Sequence, residues 1–210
     1  MAIKAILTEK TGKKFLFLMA AQAEYGEKLK QIFTPLFIGV GPVEAAVNTA
    51  IALSNLSAQN CLPDYVISLG SAGAQNLHQT GVYQVASVSW RDIDASAFGV
   101  EKGLTPFLDL PKEIELPCFL NNLPKARLST GSNVVSGSAY NEIDADMVDM
   151  ETYAVLRACQ QFNLPLIGLR GISDGKHEIN HIDDWQLYLH IIDEKLANCV
   201  DELLNVLAKT

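Results

Sequence analysis

Residues 149–174 decide the fold, and they read DMETYAVLRACQQFNLPLIGLRGISD. A helical pattern covers 149–162, and Asn163-Leu164-Pro165 ends it because proline does not continue a helix. A largely apolar run at 166–172 follows at once and predicts a strand that is buried on both faces. A helix that leads directly into a buried strand is the repeating unit of a parallel α/β sheet.

The same alternation extends through the rest of the chain. Further strands are predicted at 15–20, 36–40, 65–69, 82–90 and 127–131, and further helices at 23–33, at 43–58 and from an Asp183-Asp184 cap to the C-terminus. Residues 104–125 are proline-rich and are expected to be irregular. The predicted fold class is α/β, with three layers (α/β/α) around a central mixed, largely parallel sheet and one domain over residues 1–210.

The composition argues against several classes of function. The 210 residues include 24 acidic and 16 basic side chains, a net charge of −8, and no stripe of Lys and Arg, so nucleic acid is not expected as a partner. The longest apolar run is shorter than the roughly 18 residues of a membrane span, and the first ten residues lack a signal-peptide pattern. Four isolated cysteines predict free thiols and a cytoplasmic location: Cys61, Cys118, Cys159 and Cys199.

Polar and small residues follow successive strands of the predicted sheet. In open α/β sheets, ligands bind beyond the carboxyl ends of the strands. The segments at those ends are Glu24, Gly39-Val40-Gly41, Gly70-Ser71-Ala72-Gly73, Arg91-Asp92, Ser132-Asn133, Arg170 and Ser173-Asp174. The sequence therefore predicts a polar ligand site at one edge of the sheet.

Three motifs of the sequence also fit ordinary structural roles. Gly39-Val40-Gly41 starts like a dinucleotide fingerprint, but Glu44 replaces its third glycine, which leaves a tight turn or a ligand-lining loop. A carboxyl group at Asp174 suits a general acid, although a helix cap or an Asx-turn also places aspartate there. His177-Glu178-x-x-His181 matches a zinc-protease motif, which binds metal only on a helix, whereas its flanking residues predict a loop.

The ordered set of segments resembles one family. The segments are 20–24, 39–46, 63–73, 92–99, 148–151 and 169–174. Over residues 15–207 the chain is similar to the methylthioadenosine/S-adenosylhomocysteine nucleosidases of the purine nucleoside phosphorylase superfamily. The resemblance implies a nucleoside phosphorylase-like fold, a homodimer and no cofactor or metal. It also implies hydrolysis of the N-glycosidic bond of an adenine nucleoside: 5′-methylthioadenosine, S-adenosylhomocysteine or 5′-deoxyadenosine.

The resemblance also implies catalytic roles for individual residues. Asp174, steadied by Ser173, would deliver a proton to the purine N7. Glu24 would activate the attacking water, which Ser71 and Arg170 would help to hold. Such a division between one acid and one base is what cleavage through a ribosyl cation requires.

Further residues would bind the substrate. Glu151 would accept hydrogen bonds from the ribose hydroxyls, and Met150 would pack against the sugar. Val134, Val135 and the close backbone approach at Gly73 would hold the adenine. The pocket for the 5′-substituent would be formed by Val40, Ile182 and Phe98 of the partner subunit.

The chain departs from the family pattern, and rival functions remain. Val134 stands where the family has an aromatic residue over the purine, 107–127 is shorter than expected, and 1–14 is expected to be an extra segment. A phosphorylase of the same superfamily would need a phosphate site, for which Arg91 is the candidate. A non-catalytic nucleoside-binding protein is a further alternative, although binding alone does not require three carboxyl groups.

Overall fold

The computed structural model describes residues 3–175 and 181–209. Its strands are β1 (Leu7–Lys10), β2 (Lys13–Met19), β3 (Leu36–Phe37), β4 (Tyr65–Gly73), β5 (Val82–Trp90), β6 (Glu113–Glu115), β7 (Lys125–Thr130), β8 (Met147–Asp149) and β9 (Leu166–Asp174). Its α-helices are α1 (Pro42–Ala58), α2 (Thr152–Gln160), α3 (Ile182–Gln186) and α4 (Leu189–Leu207). Four short 3₁₀ segments connect them: Gln22–Glu24, Leu29–Gln31, Ser96–Phe98 and Gly137–Glu142.

The strands form one mixed sheet. β4 is central and pairs in parallel with both β2 and β9. β9 runs antiparallel to β5, which pairs in parallel with β7, and β7 pairs in parallel with β8. One antiparallel pair, Gly73 with Val148, joins β8 back to β4 and closes a ring of five strands. The predicted mixed α/β sheet is therefore confirmed.

Helices cover the two faces of this sheet. Along β2, Leu16 and Leu18 belong to the core that α1 and α2 cover. Phe15 and Phe17 alternate with them and pack into the core beneath α4, because successive side chains of a strand point to opposite faces. The apolar stripe of α4, predicted from the sequence as a core face, is buried at Leu189, Ile192, Leu196, Val200, Leu203 and Leu207.

The helix predicted at 23–33 is wrong. Two 3₁₀ segments replace it, and the chain there bends around the buried carboxylate of Asp193. This carboxylate accepts hydrogen bonds from the backbone N–H groups of Lys28 (2.9 Å) and Leu29 (3.2 Å). Gly26 lies so close to it that a Cβ atom there would be 2.4 Å from the Asp193 Cγ, so the turn needs a glycine.

The C-terminal helix begins differently from the prediction. The structure has two helices, α3 and α4, and the N-cap of α3 is His181 rather than Asp183. The His181 Nδ1 accepts a hydrogen bond from the backbone N–H of Asp183, as a cap must because the first N–H groups of a helix lack partners within it.

The N-terminal segment and the proline-rich segment each add a short strand at an edge of the sheet. Residues 7–10 form β1, an antiparallel hairpin partner of β2. The proline-rich segment is largely irregular but contributes β6, which pairs with β5. Among the described residues, every helix is too short or too polar to cross a membrane.

Candidate active site

A cavity of about 560 Å³ lies where the C-terminal ends of β4 and β9 meet β8. A shift of register between Ala72 and Gly73 sets Gly73 opposite Asp174. Nine residues predicted from the sequence line this cavity: Glu24, Val40, Ser71, Gly73, Val134, Val135, Met150, Glu151 and Asp174. The fold thus brings together groups that are far apart in the sequence.

Asp174 ends β9 with its carboxyl group beside the cavity. The hydroxyl of Ser173, which is fully buried, donates a hydrogen bond of 2.6 Å to Asp174 Oδ2. Burial raises the pKa of the Asp174 carboxyl above its usual range, and the bond from Ser173 opposes this only in part. Such a group retains a proton at higher pH than an exposed aspartate, as a general acid must.

Glu24 lies across the cavity in the Gln22–Glu24 segment. Its Oε1 accepts hydrogen bonds from the backbone N–H and from the hydroxyl of Ser71, each of 2.7 Å. The Ser71 hydroxyl in turn accepts one from Trp185 Nε1, at 2.8 Å. Burial raises the pKa of Glu24, against the bonds from Ser71 and the charge of Arg170. The carboxyl group is therefore held in one orientation and is more basic than an exposed glutamate.

Glu151 is the third carboxyl group of the cavity and precedes α2. Its Oε1 accepts a hydrogen bond of 2.9 Å from the backbone N–H of Gly41, whose φ of 93° favours glycine. Burial, together with the neighbouring charge of Asp149, raises the pKa of Glu151 to about 8. Val40 of this loop lines the cavity, and the positive φ angles of Gly39 and Gly41 also fit a tight turn, so a ligand-lining role of the loop stays a prediction.

Arg170 and Asp149 form a buried ion pair beneath these groups. The Arg170 Nη2 lies 3.1 Å from Asp149 Oδ2 and also donates to the hydroxyls of Ser68 and Thr152. The other oxygen of Asp149 accepts a hydrogen bond of 2.6 Å from the Thr130 hydroxyl. The positive charge of Arg170 therefore acts on the carboxyl groups of Glu24 and Glu151 from a distance. Its N–H groups already donate hydrogen bonds to protein atoms.

Comparisons with known proteins agree with this architecture. Residues 129–205 match the family model described as Phosphorylase superfamily. A futalosine hydrolase mutant from Helicobacter pylori has 19% identity and a TM-score of 0.76, over 91% of this chain and 98% of that one. The chain has the phosphorylase-superfamily fold.

Two further solved structures share this phosphorylase-superfamily fold. The Helicobacter pylori MTAN D198N mutant, with 5′-methylthioadenosine in its active site, has 22% identity and a TM-score of 0.74, over 91% of this chain and 99% of that one. The Neisseria meningitidis 5′-methylthioadenosine/S-adenosylhomocysteine nucleosidase, in complex with methylthio-immucillin-A, has 20% identity and a TM-score of 0.75, over 93% and 99%. The fold that the sequence resemblance implies is therefore confirmed.

Some predicted site residues lie outside the cavity of this phosphorylase-superfamily fold. Ser173 lies behind Asp174, and Arg170 borders a smaller void beside Glu24 and Ser71. Phe98 is 88% exposed and does not line the cavity of its own chain. Only the backbone of Ile182 is described, so its predicted place in the 5′ pocket stays a prediction.

The zinc-protease interpretation finds no support in the part of the chain that the structure describes. His177 and Glu178 lie outside the described residues. His181 has extended backbone at the N-cap of α3, not a position within a helix that continues the motif. In 3–175 and 181–209, no three His, Cys, Asp or Glu side chains are grouped as metal ligands.

Sequence reasoning missed several residues of the cavity. Trp185 and Asp149 line it, and so does His181, which was considered only as a metal ligand. Trp185 reaches Ser71 across 114 positions of sequence, and no local pattern signals such a contact. The sequence signal that could have indicated Trp185 is that this aromatic residue follows the predicted acid, Asp174, in the segment after β9.

Proposed function

We propose that this chain is an N-glycosyl hydrolase that cleaves an adenine nucleoside into adenine and its ribose moiety. The observation that carries the proposal is the grouping of three carboxyl groups around one cavity: Glu24 and Glu151, which are buried, and Asp174, which is partly buried. Burying carboxyl groups costs free energy, so a binding protein gains nothing from three of them where neutral hydrogen-bonding groups would suffice.

Asp174 is the proposed general acid. It donates its proton to N7 of the purine while the glycosidic bond breaks, so that the bonding electrons leave with the base. Burial keeps the proton on the carboxyl group, and the hydrogen bond from Ser173 to Oδ2 fixes its orientation.

Glu24 is the proposed general base. It accepts a proton from the water whose oxygen forms the new bond to C1′ of the ribose. Ser71 holds the Glu24 carboxyl group through two hydrogen bonds, and its hydroxyl is within reach of the same water. Arg170 supports this side of the site electrostatically, because its charge lowers the pKa of Glu24.

Glu151 is the proposed ribose ligand. Its carboxylate accepts hydrogen bonds from the ribose hydroxyls, and its negative charge favours the cationic transition state over the neutral substrate. Met150 lies beside it and packs against the sugar. A pKa of about 8 means that binding the developing cation also favours loss of the Glu151 proton.

The base and the 5′-substituent occupy the apolar parts of the cavity. Val135 is buried, whereas Val134 is 64% exposed at the cavity wall, and the two valines contact the purine together with the backbone at Gly73. Val40, Ile182 and Phe98 of the partner subunit enclose the 5′-substituent. The protein is thus proposed to act as a homodimer in the cytoplasm.

Hydrolysis is favoured over phosphorolysis by the charges of the cavity. Arg91 lines it, but Nη1 donates to the carbonyl oxygens of Ser129 (2.6 Å) and Asp149 (3.1 Å), and Nη2 donates to that of Asn133 (2.7 Å). A phosphate dianion would compete with these carbonyls for the arginine and would be repelled by the carboxylate of Glu24, the proposed base.

The experiment is base release in phosphate-free buffer, repeated with phosphate. The substrates are 5′-methylthioadenosine, S-adenosylhomocysteine, 5′-deoxyadenosine and, because one structural neighbour is a futalosine hydrolase, futalosine. Without phosphate we expect a reducing sugar and the free base, which is adenine for the three adenine nucleosides. Release only with phosphate would make the protein a phosphorylase, and binding without release would make it a nucleoside-binding protein.

A further inference from the structure

The hydroxyl group of Tyr140 is buried without a hydrogen-bond partner among the described residues. Tyr140 belongs to the Gly137–Glu142 segment and packs with Val135, Val148 and Ile143. Its side chain belongs to an apolar cluster that needs no hydroxyl, and a phenylalanine would fill the same space. A buried polar group without a partner is costly, so packing alone does not account for this hydroxyl.

Tyr140 and Asp174 meet at Gly73. A Cβ atom on Gly73 would lie 2.3 Å from the Tyr140 hydroxyl oxygen and 2.7 Å from Asp174 Oδ1. The other carboxyl oxygen, Oδ2, already accepts the hydrogen bond from Ser173. The two polar atoms that share the space over Gly73 are therefore the unpartnered hydroxyl and the carboxyl oxygen that Ser173 does not bind.

We propose that Tyr140 is a positioning residue that donates a hydrogen bond to Asp174 Oδ1 as Asp174 gives up its proton. This inference rests on the proposed role of Asp174 as the acid. When the proton passes to the base, the electrons of the broken O–H bond stay on the carboxyl group, whose negative charge then attracts a second donor. Catalytic hydrogen bonds are often long in the empty enzyme and shorten only as the reaction proceeds.

The surroundings of Tyr140 fit this role. Burial, together with the negative charge of Asp174, raises the pKa of Tyr140 against the opposing charge of Arg91. The phenol therefore keeps its proton and can act as a donor. Besides Asp174, the ionisable groups that line the cavity are Glu24, Arg91, Asp149, Glu151 and His181, and a substitution at position 140 leaves them in place.

Tyr140→Phe tests the proposal because it removes only the hydroxyl. We expect kcat to fall roughly 10- to 100-fold, the range for a hydrogen bond to a charged group, with KM little changed. We also expect the alkaline limb of the kcat profile to move to higher pH, because a carboxylate without its second donor binds its proton more tightly. The melting temperature should stay the same or rise, since an unpartnered buried hydroxyl is lost.

Tyr153→Phe is the matched control. Tyr153 is also buried, but its ring stacks on Trp90 and its hydroxyl is not among the atoms that approach Gly73 beside Asp174. It should leave kcat and the alkaline limb unchanged. Wild-type kcat in Tyr140→Phe, or a lower kcat with an unmoved alkaline limb, would overturn the proposal.

A second measurement separates this inference from the proposed function. The pKa of Asp174, followed by NMR of the carboxyl carbon in the empty protein, should be about one unit or more higher in Tyr140→Phe than in the wild type. This shift requires no turnover, so it tests the hydrogen bond even if the protein cleaves none of the nucleosides. An unchanged pKa of Asp174 would refute the contact, whatever the activity.

Discussion

The three carboxyl groups of the cavity differ in the donors that reach them. Asp174 receives one hydroxyl, Glu24 receives a hydroxyl and a backbone N–H of Ser71, and Glu151 receives the N–H of Gly41. Donors to a carboxylate favour its charged form, whereas burial favours its protonated form. Asp174, with one donor, is therefore suited to give a proton, and Glu24, with two strong donors and Arg170 nearby, is suited to receive one.

Asp174→Asn is expected to lower kcat by roughly 10²- to 10⁴-fold, the usual share of a general acid, and to leave the fold intact. The amide keeps the size of the carboxyl group but has no acidic proton to give. Steady-state kinetics with circular dichroism measures both effects. Glu24→Gln is the comparison variant, and it should bind substrate without hydrolysing it. Full activity of Asp174→Asn would show that the proton comes from another group.

The raised pKa of Glu151 makes stability depend on pH. The folded protein retains a proton that the unfolded chain releases, since the pKa of Glu151 rises on folding from 4.5 to about 8. The contribution of this group to stability is present below pH 4.5 and is lost as the pH rises towards 8. Asp174 and Glu24, whose pKa values are also raised, act in the same direction.

We therefore expect the melting temperature to fall as the pH is raised across this interval, and Glu151→Gln to reduce the slope. Differential scanning calorimetry at a series of pH values measures this. Glu142→Gln, which removes an exposed carboxyl group, is the control and should keep the wild-type slope. A Glu151→Gln slope equal to the wild-type slope would show that Glu151 keeps an ordinary pKa.

At the scale of secondary-structure elements, one ion pair and its hydrogen bonds join five of them. Arg170 of β9 contacts Asp149 of β8, Ser68 of β4 and Thr152 of α2, and Thr130 of β7 binds the far side of Asp149. The two charged side chains are 3% and 2% exposed, so each depends on the other for compensation. This network fixes the ends of the strands from which the cavity is built.

Asp149→Ala is expected to lower the free energy of unfolding by about 3–5 kcal/mol, because it leaves the Arg170 charge buried without its partner. Urea denaturation measures the loss. Lys112→Ala breaks the exposed pair with Glu101 and is the control, with an expected loss within about 1 kcal/mol. If the two variants lost the same small amount of unfolding free energy, other groups would have to compensate the buried charge of Arg170.

The long buried strands could be predicted from the sequence, and the short elements could not. β5 and β9 have apolar runs that identify a strand without help from neighbours, whereas β6 and β8 have three residues each and exist because a longer strand pairs with them. The helix predicted at 23–33 failed for a similar reason, since Asp193, far along the chain, bends that segment.

The residues of the candidate site also fall into those that could be predicted from the sequence and those that could not. Glu24 follows β2, and Ser71 and Asp174 lie near the C-terminal ends of β4 and β9, so the topology of an α/β sheet predicts that they meet. Trp185 and Tyr140 reach the site from segments without strand or helix patterning that points there. Their positions depend on tertiary packing, which one sequence does not reveal.

At the scale of the whole molecule, the outer face of α1 is apolar. Val43, Val47 and Ile51 recur at every fourth position and are 71%, 49% and 43% exposed. Val40, which lines the cavity, is 57% exposed just before this helix. An apolar stripe that starts at the cavity and faces outward is suited to contact a second subunit, and the exposed Phe98 does not line the cavity of its own chain.

Val47→Asp is expected to weaken the proposed homodimer on the order of 100-fold or more, because it buries an unpaired charge in an apolar interface. Sedimentation over a range of concentrations measures the dissociation, and KM should rise on the same concentration scale because the 5′ pocket loses Phe98 of the partner subunit. Asn205→Asp adds the same charge on the exposed face of α4 and should leave both unchanged. A wild-type protein that sediments as a monomer with full activity would contradict the shared pocket, and Phe98→Ala would then leave KM unaltered.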